Sequence, residues 1–254
     1  MPHRPNITYR YDGSFEGLLC CVFESYAADE IPLDILAPDA PETLFPGKEI
    51  SSDRNRALRV QGSIPRRMGS EALALVRHAF LTCLPQKELD ILLFLRLGYE
   101  KGPFVLQMLA DPAVNRLSAA VAHLQNESHL LMGFVRFSDY QGVLAAEIEP
   151  KNIVLPLLSP HFCARFPEER FLIYDKAHGM ALTYEPHRAA ILSADELELP
   201  APGEEEAAFR RLWRLFYDTV EIEGRHNPKC RMSHMPKRYW KYLTEFGREP
   251  PGAS

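Results

Sequence analysis

Apolar residues change their spacing several times along the chain, and each change predicts an element. In NITYRY at 6–11, Ile7, Tyr9 and Tyr11 alternate with other residues at the period of a strand. Asp12-Gly13 signals a turn, and Ser14 stands where a helix cap is needed. FEGLLCCVFESY at 15–26 is then apolar for about three turns of a buried helix. A long loop follows through Pro32, Pro38, Pro41 and Pro46. RNRALRV at 54–60 reads as a short strand. From 70 to 129 the spacing is helical. One helix is capped by Ser70 and reaches Cys83, and a second runs from Pro85 to about Gly98. A third opens at Asp111-Pro112, a side-chain cap followed by proline at the first helical position. In it Val114, Leu117, Val121 and Leu124 make one apolar stripe.

Beyond this the period shortens. LMGFVRF at 131–137 and VLAAEIE at 143–149 flank a Gly-containing loop, which predicts a hairpin. Residues 152–166, interrupted by Pro156 and Pro160, predict a short helical crossover. RFLIYD at 170–175 and MALTYE at 180–185 predict a second hairpin around Ala177-His178-Gly179, and RAAIL at 188–192 adds a strand. Hairpins of this kind build an antiparallel sheet. After an acidic, Pro-containing stretch, Phe209, Leu212, Trp213, Phe216 and Val220 mark an amphipathic helix, with Arg210, Arg211 and Arg214 off the stripe. The predicted fold is α+β: a helical layer packed on an antiparallel sheet of hairpins, with a C-terminal helical extension. The predicted division is a core over 1–196, an acidic linker over 197–206 and a basic, aromatic segment over 207–254 packed on that core.

Composition narrows the class. With 254 residues, 46% apolar and 25% charged, the chain can bury a full core without disulfide or metal staples. A net charge of −5 excludes a globally basic nucleic-acid protein but allows a local basic face. Two segments are locally basic. Arg54, Arg56, Arg59, Arg66 and Arg67 face only Asp53, for which a solvated face is the ordinary reading. Between 225 and 248, Arg225, Lys229, Arg231, Lys237, Arg238, Lys241 and Arg248 face only Glu245. The longest apolar runs, at 91–95 and 130–135, are too short to cross a bilayer, and no membrane partner is expected. The first residues lack the apolar stretch of a secretory signal, and five cysteines without a CxxC pair fit reduced thiols; a cytoplasmic location is the expectation.

Few motifs carry chemistry. A GxSxG elbow, a Walker loop and a GxGxxG turn are all missing from the sequence. His226, Cys230 and His234 are four apart, but Pro228 and Pro236 interrupt them and structural zinc takes four ligands. His161 and Cys163 would need His78 or Cys83 brought to them by folding. A cysteine triplet for an iron–sulfur cluster is also missing, so neither metal nor cofactor is assigned. Asp12, His161 and Asp175 remain as candidate acid–base groups, although aspartate beside a turn more often shapes the turn. His161 near Arg165 could donate a proton or contact a phosphate. Lys237, Arg238, Tyr239, Trp240 and Lys241 set phosphate-neutralising and base-stacking groups in five consecutive positions. With Arg165, Arg225 and Lys229 they form the candidate nucleic-acid set. The opposing reading has Tyr239 and Trp240 pinning the last helix to the core, with the charges solvated around it.

RHNP at 225–228, MPKRYW at 235–240 and LTE at 243–245 resemble the domain of unknown function 4130 family. YDGSFEG at 11–17 is similar to that family's opening, as are RF at 136–137, HFCAR at 161–165 and IYD at 173–175. The resemblance spans about Tyr9 to Phe246 and departs at 175–182, where His178 stands in place of an expected arginine. It implies DNA repair or DNA metabolism, beside a radical S-adenosylmethionine protein and, in some architectures, fused to a uracil-DNA glycosylase-like domain. The leading expectation is a DNA repair or DNA modification accessory that binds DNA and acts with a radical S-adenosylmethionine partner. One alternative is an enzyme acting on a nucleobase or nucleic acid through Asp12, His161 and Asp175. Another is a non-catalytic scaffold whose tail docks a protein.

Overall fold

A computed structural model describes residues 3–41, 43–195, 197–198, 203–220 and 235–246. The chain is α+β and divides into two compact units, Met1–Leu124 and Gln125–Ser254, with the division inside one long helix. The core expected over 1–196 therefore takes in the first unit and about half of the second.

In the first unit, β1 (Thr8–Arg10) lies between β2 (Asp34–Leu36) and β3 (Gly47–Glu49), parallel to both. Parallel neighbours need a crossover. Helix α1 (Phe15–Ala27) supplies the one from β1 to β2, and Ser14 caps it as expected, accepting from the Gly17 amide at 2.9 Å. Residues 54–60 are not a strand. They open helix α2 (Arg54–Met68), capped by Asp53, whose Oδ1 accepts from the Arg56 amide at 2.9 Å. The stripe that makes α2 a helix is Ala57, Val60, Ile64 and Met68, all buried at helical spacing. Gly62 and Pro65 disguise it, because both residues usually break a helix.

Helix α3 (Ser70–Phe80) begins after Gly69, whose φ of +92° breaks it from α2. Ser70 is thus the first helical residue rather than the cap, and the helix stops before Cys83. Helix α4 (Lys87–Lys101) follows, then a 3₁₀ turn over Gly102–Gln107, then α5 (Pro112–Phe134). Asp111 caps α5 as predicted, accepting from the Ala113 and Val114 amides. Leu18, Leu19, Ile64, Met68, Ile91, Leu92, Leu95 and Leu117 are fully buried in this unit's core. Each such side chain contributes about 2 kcal/mol of burial. The buried Asp90 is matched by two hydrogen bonds from Arg116.

In the second unit the strand order is β4-β5-β6-β7-β8. Residues 131–134 are the end of α5 rather than a strand, because a short apolar run fits either element. The first hairpin is therefore small: β4 (Ser138–Asp139) pairs antiparallel with β5 (Val143–Ile148). Helix α6 (Leu155–Arg165) is the expected crossover, and it makes β5 parallel to β6 (Arg170–Asp175). The sheet is thus mixed. The second hairpin joins β6 to β7 (Met180–Glu185), and β8 (Arg188–Ser193) completes the sheet. Ile148, Leu155, Leu158, Phe162, Phe171, Ile173 and Leu182 form the core. Helix α7 (Glu204–Val220) opens on three glutamates that suit the positive end of its dipole. It starts inside the stretch expected to be linker. Among the described residues, no helix is long and apolar enough to cross a membrane.

Candidate nucleic-acid site

The described part of the tail is a 3₁₀ turn over Lys237–Tyr242, anchored by acids from distant positions. Glu127 on α5 is the anchor. Its carboxylate is buried and accepts from the amides of Lys151 (3.1 Å) and Asn152 (2.9 Å) and from Asn152 Nδ2 (2.6 Å). It also accepts from Tyr239 Oη at 3.0 Å and Arg238 Nη2 at 2.8 Å. Burial alone would raise the Glu127 pKa; the donors from Lys151, Asn152 and Tyr239 outweigh it and hold the carboxyl below the ordinary glutamate range. Tyr239 is buried, which pushes its phenol up to about 12. Lys241 and Tyr242 both donate to Glu149. Trp240 is half-buried, with its indole stacked on Phe246 at 4.7 Å and its Nε1 donating to Met235 O. Lys237 is exposed, its Nζ 5.9 Å from the centre of the Trp240 ring. So Arg238, Tyr239 and Lys241 serve the fold. Arg225, Lys229, His226, Cys230 and His234 lie outside the described residues.

A pocket of about 640 Å³ gathers a different set of groups. Its walls come from the end of α5, from α6 and from α7, with Thr244 of the tail. His161 and Arg165 lie four apart on α6, so they share a face and enter the pocket together. Phe137, Phe162, Phe166, Phe209 and Trp213 supply flat apolar surface, and Phe209 and Trp213 remain 62% and 43% exposed. Two other arginines line the pocket but are spent. Arg136 forms a two-point pair with Glu245 at 2.8 and 3.3 Å, and Arg210 pairs with Glu206 at 2.9 Å. The Glu245 carboxyl is nearly sealed; burial opposes its charge, but Arg136 overrides that and keeps it below the ordinary range. Trp213 Nε1 donates to the same carboxylate at 3.3 Å, which fixes the indole at the pocket wall.

Arg165 differs. Among the described residues it has no carboxylate partner, and its guanidinium lies 5.5 Å from the Phe166 ring centre. The His161 ring likewise has no hydrogen-bond partner among the described residues; it meets Phe162 edge-on at 4.9 Å. An uncompensated guanidinium, an unbonded imidazole and several aromatic faces suit a flat, anionic ligand.

Asp12 and Asp175 are committed elsewhere. Asp12, in the first unit, accepts from the Ser14 amide (3.0 Å), Ser14 Oγ (2.7 Å) and Ser52 Oγ (2.6 Å). Burial works against its charge, and these donors hold its pKa below the usual carboxylate value. Asp175 is fully buried and closes the β6–β7 turn, accepting from the Ala177 and His178 amides and bonding His178 Nδ1 at 2.7 Å. Neither lines the pocket, so of the three acid–base candidates only His161 does. Among the described residues, no group of three or more His, Cys, Asp or Glu could hold a metal ion.

The sequence does not mark Glu127 or Glu149, and it marks Arg136 only through RF at 136–137, because each gains its role from a partner about 90 to 110 residues away. The available signal was the four-residue spacing of His161 and Arg165.

A family model described as a domain of unknown function, DUF4130, matches residues 85–245. That span includes every residue of the pocket, together with Glu127 and Glu149. No curated protein and no solved structure matches the chain.

Proposed function

Taking as premise that the chain belongs to the domain of unknown function 4130 family, matched over more than half its length, we propose that it is a nucleic-acid-binding accessory of DNA repair or DNA modification. In this reading it works beside a radical S-adenosylmethionine protein. The observation that carries the proposal is the α6–α7 pocket, where Arg165 and His161 stand unspent among aromatic faces. An unstacked base would lie against Trp213 and Phe209 while its phosphate meets Arg165. Stacking of this kind contributes about 1–3 kcal/mol per base. The partner protein would meet the exposed apolar stripe of α7, where Leu212, Leu215 and Phe216 are all more than half exposed.

The chain has two tryptophans, so Trp240→Phe leaves Trp213 as the sole reporter at the pocket. Titration with single-stranded, duplex and uracil-containing oligonucleotides should quench it. Arg165→Ala should then weaken binding by about fivefold or more, the loss of about 1 kcal/mol. An unresponsive Trp213 alongside ordinary anisotropy binding would remove the pocket from the account. A second reading is favoured by one observation, the unbonded His161 ring: a nucleobase-directed enzyme using His161 as its proton donor. A cleaved or released base from the uracil-containing oligonucleotide, lost in His161→Ala, would support that reading; intact oligonucleotide would count against it.

A further inference from the structure

A second basic surface lies in the first unit, outside the residues that the family model matches. Arg54, Arg56, Arg59, Arg66 and Arg67 of α2 are all exposed. At 3.6 residues per turn, Arg56, Arg59, Arg66 and Arg67 fall along one side of the buried stripe, over about 16 Å. None has a carboxylate partner among the described residues, whereas Arg96 and Arg116 in the same unit each meet an aspartate. Their hydrogen bonds among the described residues are to main-chain carbonyls: Arg66 to Gly62 and Arg67 to Tyr99. Asp53, the one acid between positions 53 and 67, is used as the helix cap. Arg54 and Arg56 also sit in the first turn, where the helix dipole disfavours a cation. Arg66 and Arg67 sit in the last turn, where the dipole favours them, but among the described residues no carboxylate neutralises any of the five charges.

An aromatic recess adjoins them. Phe23, Tyr26, Arg59, Val60, Ser63 and Tyr99 are among the residues that line an open pocket of about 290 Å³. Arg56 and Arg59 lie over the Phe23 ring at 5.3 and 6.0 Å, and Arg96 lies over Tyr26 at 4.5 Å. Tyr26 meets Tyr99 edge-on at 5.5 Å and is 43% exposed. Guanidinium planes laid on aromatic rings at the edge of a recess provide surfaces on which an unpaired base can stack.

We propose that this face of α2 binds single-stranded nucleic acid, the arginines tracking its phosphates and the Phe23–Tyr26–Tyr99 recess receiving an unstacked base. The charge row fits any polyanion. The recess selects a strand whose bases are free, because a duplex keeps them stacked and an acidic peptide has none to offer. The inference does not rest on the His161 pocket.

The test is fluorescence anisotropy of the full chain with a thymine oligonucleotide over a range of salt concentrations. Replacing Arg56, Arg59, Arg66 and Arg67 by Ala should flatten the slope of log K against log salt by about 3, at about 0.7 per phosphate contact on a single strand. Should that variant not fold, the Arg56/Arg59 and Arg66/Arg67 double variants should each flatten it by about half as much. Tyr26→Ala should weaken single-strand binding by about fivefold or more and leave the slope unchanged. Three results would overturn the proposal: an unchanged slope in a folded arginine variant, equal affinity for duplex with Tyr26→Ala silent, or poly-glutamate competing as well as the oligonucleotide. A silent Trp213 with a slope that still depends on α2 would remove the other pocket and leave this face standing.

Discussion

Along α2, five arginines stand exposed with no carboxylate partner among the described residues, whereas in the tail Arg238 meets Glu127 and Lys241 meets Glu149. Both regions are basic in sequence, and a charge count alone would mark the tail as the stronger of the two. The difference is made by acids that arrive from far along the chain. Glu127 lies 111 residues before Arg238, so its claim on that arginine exists only after folding. A basic run is a binding surface only to the extent that the fold leaves it unmatched. By that criterion Arg238 and Lys241 act as a clasp, while α2 and Arg165 carry charge available to a ligand.

The comparison can be broken by removing the clasp. Glu127→Ala takes the acceptor from five donors, including the buried Tyr239, and should cost about 3 kcal/mol in urea unfolding. Unfolding at the wild-type midpoint would show that the tail is held by something else. Acid should release part of the same energy. The Glu127 and Glu245 pKa values are lowered in the fold, so their contribution is complete above the unfolded value, near 4.5, and is lost as pH falls below it. Melting temperature should therefore hold level from pH 7 to about 5 and drop beyond, less steeply in Glu127→Gln. A flat profile down to pH 3 would contradict the lowered pKa values.

Arg238→Ala should cost about 1 kcal/mol of stability, because its side chain is part-exposed, and should leave the salt slope of oligonucleotide binding where it was. A flatter slope would mean that the tail does contact phosphate. The smallest effect is expected from Lys241→Ala, whose pair with Glu149 is largely exposed: about 0.5 kcal/mol or less in thermal melts.

What the sequence made legible was local. Ser14 and Asp111 cap helices because a side-chain oxygen must reach an amide two or three residues on, and that constraint is written in adjacent letters. The β6–β7 hairpin was readable from two alternating runs around a glycine turn. Residues 54–60 misled because seven letters hold under two helical turns; the stripe becomes clear only when Ile64 and Met68 are included. The run 131–135 misled because apolar residues without alternation suit a buried helix as well as a strand. At the candidate site, His161 and Arg165 were readable as neighbours on one helix. Trp213 and Phe209 were readable as a helix stripe, but not as a wall facing α6, since that depends on how the sheet carries its crossover. Asp12 and Asp175 were visible as candidates and as turn formers, and the turn geometry claims both.

The central claim is that this chain binds nucleic acid through the basic groups the fold leaves unpaired. The most direct measurement is anisotropy of one single-stranded oligonucleotide at low and moderate salt, run in parallel on the wild-type chain, the α2 arginine variant and an Arg238→Ala/Lys241→Ala variant. The account predicts salt-sensitive binding by the wild type, a flattened salt dependence for the α2 variant and little change for the tail variant. An absence of wild-type binding at low salt, or a loss confined to the tail variant, would contradict it.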